Sequence, residues 1–249
     1  MLRFLLEFGL IAIILAVPVL ILVAGLPAVV VSLYEKRYVR NLTPLETNGK
    51  LRSPNDPGPH PYMDAVNEQA GQIGFEFGGI FVRATKGAAK FRAAVWRSPE
   101  RDILVHVSIV QAGPMRQKIT RLVSQVGNRY LVTTDDFGED DISGLLDYEV
   151  RQNAHFPELL DRHEDRLARA DDELIYFLAE NMVEDLDAIQ IERAQHMVDC
   201  GYAKFRDADR SVWSYTIKGA VHLYFRSYLK QILRGLAMGH RQWRSRPGS

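Results

Sequence analysis

Three kinds of hydrophobic patterning follow one another along the chain. From Phe8 to Tyr34 no residue is charged, a run of 27. A helix of that length, at about 1.5 Å per residue, reaches roughly 40 Å and exceeds the roughly 30 Å apolar core of a bilayer. Pro18 and Pro27 interrupt the run; in a membrane helix such prolines kink the helix without breaking it. The pattern predicts a single transmembrane helix within residues 1–40, with Phe8, Leu15, Pro18, Leu22 and Val30 among its spanning positions. A cleaved signal peptide is the rival reading, but its apolar core runs to only about 7–15 residues. The small residues Ala24 and Gly25 are followed by more apolar sequence, Leu26 through Val31, so an uncleaved anchor is expected.

Residues 41–61 carry Pro44, Pro54, Pro57, Pro59 and Pro61, with Asn, Gly and Ser between them. Such a stretch excludes a continuous helix or a central strand and reads as a linker. A short helix is expected from Pro61 to about Gly71, opened by its proline.

The period then changes. Segments 74–84, 90–97, 103–111, 118–126 and 129–136 are rich in Val, Ile, Phe and Thr. In the third, Ile103, Val105, Val107 and Ile109 fall on one strand face and Leu104, His106, Ser108 and Val110 on the other. Ser98–Asp102 reads as a turn, and Gly127-Asn128 as a two-residue hairpin connection. Together these predict an antiparallel meander of four or five strands over residues 62–150, with flanking helices to cover it.

Residues 151–249 read as a helical region with a short hairpin, packed with 62–150 or separate from it. One helix should begin at Pro157 and align Leu159, Leu160, His163 and Leu167. A second should start near Asp171, with Leu174, Ile175, Phe177, Leu178 and Met182 apolar. A third should run from Leu186 to Cys200 and stop at Gly201. Short strands are expected at 202–206 and 212–218, and a last helix over 219–239. The fold class is therefore α+β behind an N-terminal transmembrane helix, ending in a helical part with a wing-like hairpin.

Charge sharpens the picture. Lys+Arg and Asp+Glu are both 31, but residues 135–189 hold 18 acids and 4 Arg, whereas residues 190–249 are net +7. Lys36, Arg37, Arg40, Lys50 and Arg52 follow the apolar run. Positive flanks stay on the cytoplasmic side, which places the N-terminus outside and the rest of the chain in the cytoplasm, at an inner (plasma) membrane. Arg outnumbers Lys 23 to 8, a bias of GC-rich bacterial genomes. The single Cys200 excludes an intrachain disulfide and a zinc site of several cysteines. Asn41-Leu42-Thr43 matches a glycosylation sequon, but its predicted side and the following Pro44 mark a chance match.

The sequence carries no P-loop, no Gly-x-Gly-x-x-Gly, no Gly-x-Ser-x-Gly and no His-Glu-x-x-His. Asp135, Asp136, Glu139, Asp140 and Asp141 crowd one loop, as calcium loops do, yet position 12 counted from Glu139 is Val150, so the EF-hand pattern fails. Cys200 falls at a helix C-terminus, where the dipole disfavours a thiolate. The seven histidines show no metal-binding spacing. No catalytic residue, metal or cofactor is assigned. Arg226, Lys230 and Arg234 recur every four residues and form one cationic stripe, suited to an anionic surface.

Residues 186–220 combine a helix ending MVDCGYA, a short strand, the turn DADRS and then YTIKGA. This resembles the third helix and wing of winged-helix proteins, through Gly201, Tyr202, Thr216, Lys218 and Gly219. The helix before the wing carries Asp185, Asp187, Glu192 and Asp199 against one Arg193, whereas a DNA recognition helix is usually basic. The resemblance thus implies a wing used for protein contact more readily than for DNA.

The expectation is a single-pass, membrane-anchored cytoplasmic protein with a non-catalytic interaction or regulatory role. Its partners are the bilayer and a protein or a second copy, ranked above nucleic acid. A membrane-tethered winged-helix-like transcription regulator and an enzyme of unrecognised type are the alternatives.

Overall fold

The computed structural model describes residues 36–37, 42–44, 61–83, 89–112, 115–135, 141–178, 180, 182–208, 210 and 212–228. Its contacts divide the chain into two units. One is Arg37–His196; the other includes Lys36 and the described residues from Met197 onward.

The first unit is mixed α+β around an antiparallel-rich sheet. Helix α1, Pro61–Gln72, starts on its proline and buries Met63, Val66 and Ala70, one helical face. Strands β3 (Glu76–Arg83), β4 (Ala89–Arg97), β5 (Leu104–Ala112), β6 (Met115–Val126) and β7 (Arg129–Thr134) then pair antiparallel, each with the next. Val126 pairs with Arg129 across Gly127-Asn128, the expected two-residue turn. The short strand β2, Leu42–Pro44, adds to the free edge of β3. It lies inside the proline-rich stretch, and an edge is where a sheet tolerates proline.

At the other edge, β8 (Leu146–Val150) runs parallel to β7. The strand pattern did not predict it, because a parallel neighbour needs a long crossover and leaves no hairpin signal. Helix α2, Phe156–Leu167, fastens it. Arg162 Nε meets Glu149 Oε1 at 2.7 Å, and Arg166 donates to the carbonyls of Val132 and Asp147, both at 2.8 Å.

The segment expected as a helix from Asp171 is not one. Leu174–Ile175 forms β9 and pairs antiparallel with the end of β6 at Gln125–Val126. The Gly127 amide donates to Glu173 O, and the Phe177 amide to Arg101 O. The backbone groups here are satisfied by the sheet and its turns, and a run of five apolar residues had no period to tell helix from strand. The helix begins later: α3 is Met182–Asp199.

Both sheet faces are covered. Ile80, Ala94, Trp96, Val105, Val107, Ile109 and Leu122 pack with α1 and with Phe156, Leu159 and Leu160 of α2. Phe81, Val95, Leu104, Val123, Tyr130 and Val132 pack with Met182, Val183, Leu186 and Ile189 of α3. The alternation expected for β5 holds, with Ile103, Val105, Val107 and Ile109 in one cluster and Leu104 in the other. Gly78 lets α3 approach closely, since a Cβ there would lie 2.5 Å from Met182 Sδ.

The second unit contains the C-terminal turn of α3, the antiparallel pair β10 (Ala203–Phe205) and β11 (Val212–Tyr215), and helix α4, Ile217–Leu223. A π-helical turn, Tyr224–Tyr228, continues α4. Strand β1, Lys36–Arg37, lies on the other side of β11, giving the order β1-β11-β10.

Candidate functional site

A serine and a histidine meet in the first unit, so their chemistry must be weighed first. Ser124 on β6 lies 2.9 Å from His163 Nε2 on α2, and Thr133 on β7 lies 2.9 Å from Nδ1. The proton positions follow from the neighbours. The Ser124 hydroxyl donates to Asp102 O at 2.6 Å, so it accepts from Nε2–H. Arg166 donates to Thr133 Oγ1 at 3.0 Å, so the Thr133 proton goes to Nδ1. The result is one directed chain, Arg166 to Thr133 to His163 to Ser124 to Asp102 O. Every proton in it is committed, and Ser124, Thr133 and His163 are fully buried. Burial, then the charge of Arg166, holds His163 down to about 3. A nucleophile–base pair needs an exposed nucleophile and a protonatable base; this chain offers neither and ties α2 to the sheet. His106 on β5 is likewise held to about 3, by burial and then Arg121.

The Asp102 end of that chain borders an open hollow of about 490 Å³. Ile73, Phe75, Ile103, Leu160 and Leu167 give it an apolar floor, and Glu100, Asp102, Asp161 and Glu164 give it an acidic rim. Desolvation, then Asp161, Asp102 and Glu100, raises the Glu164 carboxyl above its ordinary value. Ser98 forms part of the wall, but it is spent on structure. It donates to Asp102 Oδ1 at 2.5 Å and accepts from the amides of Asp102 and Ile103 at 3.0 Å. The rim attracts positive charge without clustering tightly: among the described residues no group of three or more His, Cys, Asp or Glu could hold a metal ion. Sequence spacing could not find this hollow, because its acids come from a turn and a helix some sixty residues apart.

The acidic loop singled out in the sequence is described only at its ends. Asp135 Oδ1 accepts from the Thr120 amide at 2.7 Å. Asp141 is buried; its carboxylate accepts from Arg193 Nε and the Leu146 amide at 3.0 Å each, and from the Ser143 hydroxyl. Burial opposes these partners, but Arg193 and the hydrogen bonds win and lower its carboxyl. Asp135 ties the end of β7 to β6, and Asp141 fixes the entry to β8 and the seat of α3. Asp136, Glu139 and Asp140 lie outside the described residues. Cys200 is exposed.

In the second unit, the five residues of the winged-helix resemblance come together as a clasp. Gly201 ends α3 with φ 71°. The Thr216 amide donates to Tyr202 O at 2.9 Å, and its hydroxyl donates to Gly201 O at 2.8 Å. The same hydroxyl accepts from the Gly219 amide at 3.1 Å and so caps α4. Lys218 Nζ donates to Cys200 O at 3.0 Å and sits 4.8 Å from the Tyr202 ring centre. His222 stacks on that ring at 4.7 Å. A Cβ at Gly219 would lie 1.9 Å from Tyr202 O, so only glycine fits.

Of the cationic stripe, Arg226 is exposed on the π-helical turn; Lys230 and Arg234 lie outside the described residues. The expected spanning positions Phe8, Leu15, Pro18, Leu22 and Val30 lie outside them too. Among the described residues no helix is long and apolar enough to cross a membrane. Comparison with protein-family models, with curated proteins and with solved structures finds no match to the chain.

Proposed function

We propose that the chain is a single-pass membrane protein, anchored through residues 8–34, whose folded part is a cytoplasmic interaction or regulatory module and not an enzyme. The observation that carries this reading is the uncharged run of 27 residues followed by Lys36, Arg37, Arg40, Lys50 and Arg52. The non-catalytic half is supported by the buried, fully committed Ser124–His163 chain. The regulator alternative is weakened by the acids Asp185, Asp187, Glu192 and Asp199 on α3, because a phosphate backbone repels them.

The test is a reporter fused after Ser249, together with extraction of membranes by carbonate. A cytoplasmic reporter should be active, a periplasmic one silent, and the chain should stay in the membrane. Activity of the periplasmic reporter reverses the orientation, and release by carbonate removes the anchor.

A further inference from the structure

Helix α4 and its π-helical turn present three faces. At about 100° per residue, Gly219, Ala220, Leu223 and Tyr224 fall on one side, and all four are buried. Ile217, Val221 and Phe225 fall on another and are 72%, 39% and 55% exposed. Lys218, His222 and Arg226 each follow one of these residues and make the third face. An exposed apolar stripe bordered by Lys218 and Arg226 is the pattern of a helix that lies in a membrane interface.

The strand order says what is near this stripe. Strand β1, Lys36–Arg37, is the hydrogen-bonded neighbour of β11. Lys36 follows the uncharged run by two residues, because the run ends at Tyr34. At its C-terminal end β11 leads through the single residue Thr216 into α4. If the run is the anchor, its exit is stitched one strand spacing, about 4.8 Å, from the strand that feeds α4. From Ile217 to Phe225 the helix covers only about 12 Å. The stripe therefore begins in the part of the fold that is paired to the chain just after the run. The surrounding charge suits an anionic leaflet, since residues 190–249 are net +7.

We propose that α4 and its π-helical turn form an interfacial helix that lays Ile217, Val221 and Phe225 into the lipid leaflet beside the anchor. The occupant of the stripe is lipid. This inference rests on the anchor reading above and extends it: the clasp of Gly201, Tyr202, Thr216 and Gly219 holds the helix at the membrane, where the anchor alone would leave it free.

The test uses the full chain with Cys200→Ser and one new cysteine at Ile217, Val221, Phe225 or the exposed Lys204. Each variant is labelled with nitrobenzoxadiazole and reconstituted into phosphatidylcholine–phosphatidylglycerol vesicles. Labels at 221 and 225 should emit further to the blue than the label at 204. They should lose intensity when lipid carrying an acyl-chain nitroxide is included, and they should resist aqueous iodide. The label at 204 should behave oppositely. A chain that resists carbonate but exposes 221 and 225 to iodide as fully as 204 overturns the inference and leaves the anchor standing. Blue-shifted labels that nitroxide lipid does not quench mean that protein covers the stripe, which also overturns it. A chain released by carbonate overturns both.

Discussion

His163 illustrates how one residue ties stability to pH. Folded, it stays neutral down to about 3 because it is buried and faces Arg166; unfolded, it takes a proton near the ordinary histidine value of about 6.5. Between those limits the unfolded chain binds the extra proton, so its contribution is fully present above about pH 6.5. Stability falls with pH by up to about 1.4 kcal/mol per unit. His163→Gln should lower stability at neutral pH, and its deficit against the wild type should shrink as urea titrations move from pH 7 to pH 4. A deficit that does not change with pH means the imidazole is protonated in place. Gly219 makes a steric argument of the same local kind. In Gly219→Ala the new Cβ meets Tyr202 O at 1.9 Å, and two backbones must part. The hairpin should lose about 2–3 kcal/mol, read as trypsin cutting at Lys204, Arg206 or Arg210 more than about tenfold faster. An unchanged cutting rate means the clasp does not hold the hairpin.

Among the elements, the edges of the sheet differ most from the sequence reading. The central strands were legible because β5 alternates and because Gly127-Asn128 can hardly be anything but a turn. The edges were not. Strand β2 sits in a proline-rich stretch that composition assigns to a linker, and β8 is recruited by Arg162 and Arg166 from a helix that follows it. Leu174–Leu178 was misread because its backbone bonds go to distant partners, Val126 and Arg101, that no local pattern contains. One consequence can be measured. A chain that begins at Pro61 lacks β2 and exposes the ladder groups of β3 from Phe81 to Arg83. Open edges of this kind pair with other chains. Both a chain beginning at Leu42 and one beginning at Pro61 lack β1, so the difference between them reports β2: the Pro61 chain should self-associate more strongly as its concentration rises. Equal behaviour of the two means that β2 contributes nothing to the edge.

At the scale of the whole molecule, the acidic and basic halves of the chain acquire separate jobs. In the acidic stretch, Glu149 and Asp141 are joined to arginines that fasten α2, α3 and β8 to the sheet, and Asp161 and Glu164 stand at the hollow beside Leu160 and Leu167. The basic C-terminal stretch carries α4 and its cations. Linear order alone determined the uncharged run, the charge that follows it, the α+β class, the alternation of the strands and the residues of the clasp. Each of these is a local pattern, written by the 3.6- and 2-residue periods or by the special conformations of glycine, proline and threonine. Tertiary structure alone decided that both sheet faces are covered, that β8 runs parallel, that Ser124 and His163 meet in a sealed chain, that four acids rim one hollow and that Lys36–Arg37 joins the strand before α4. Those pairings bring together residues tens to more than a hundred positions apart. Their selection depends on which buried polar groups find partners and which apolar faces find cover, and neither quantity exists until the chain has closed on itself.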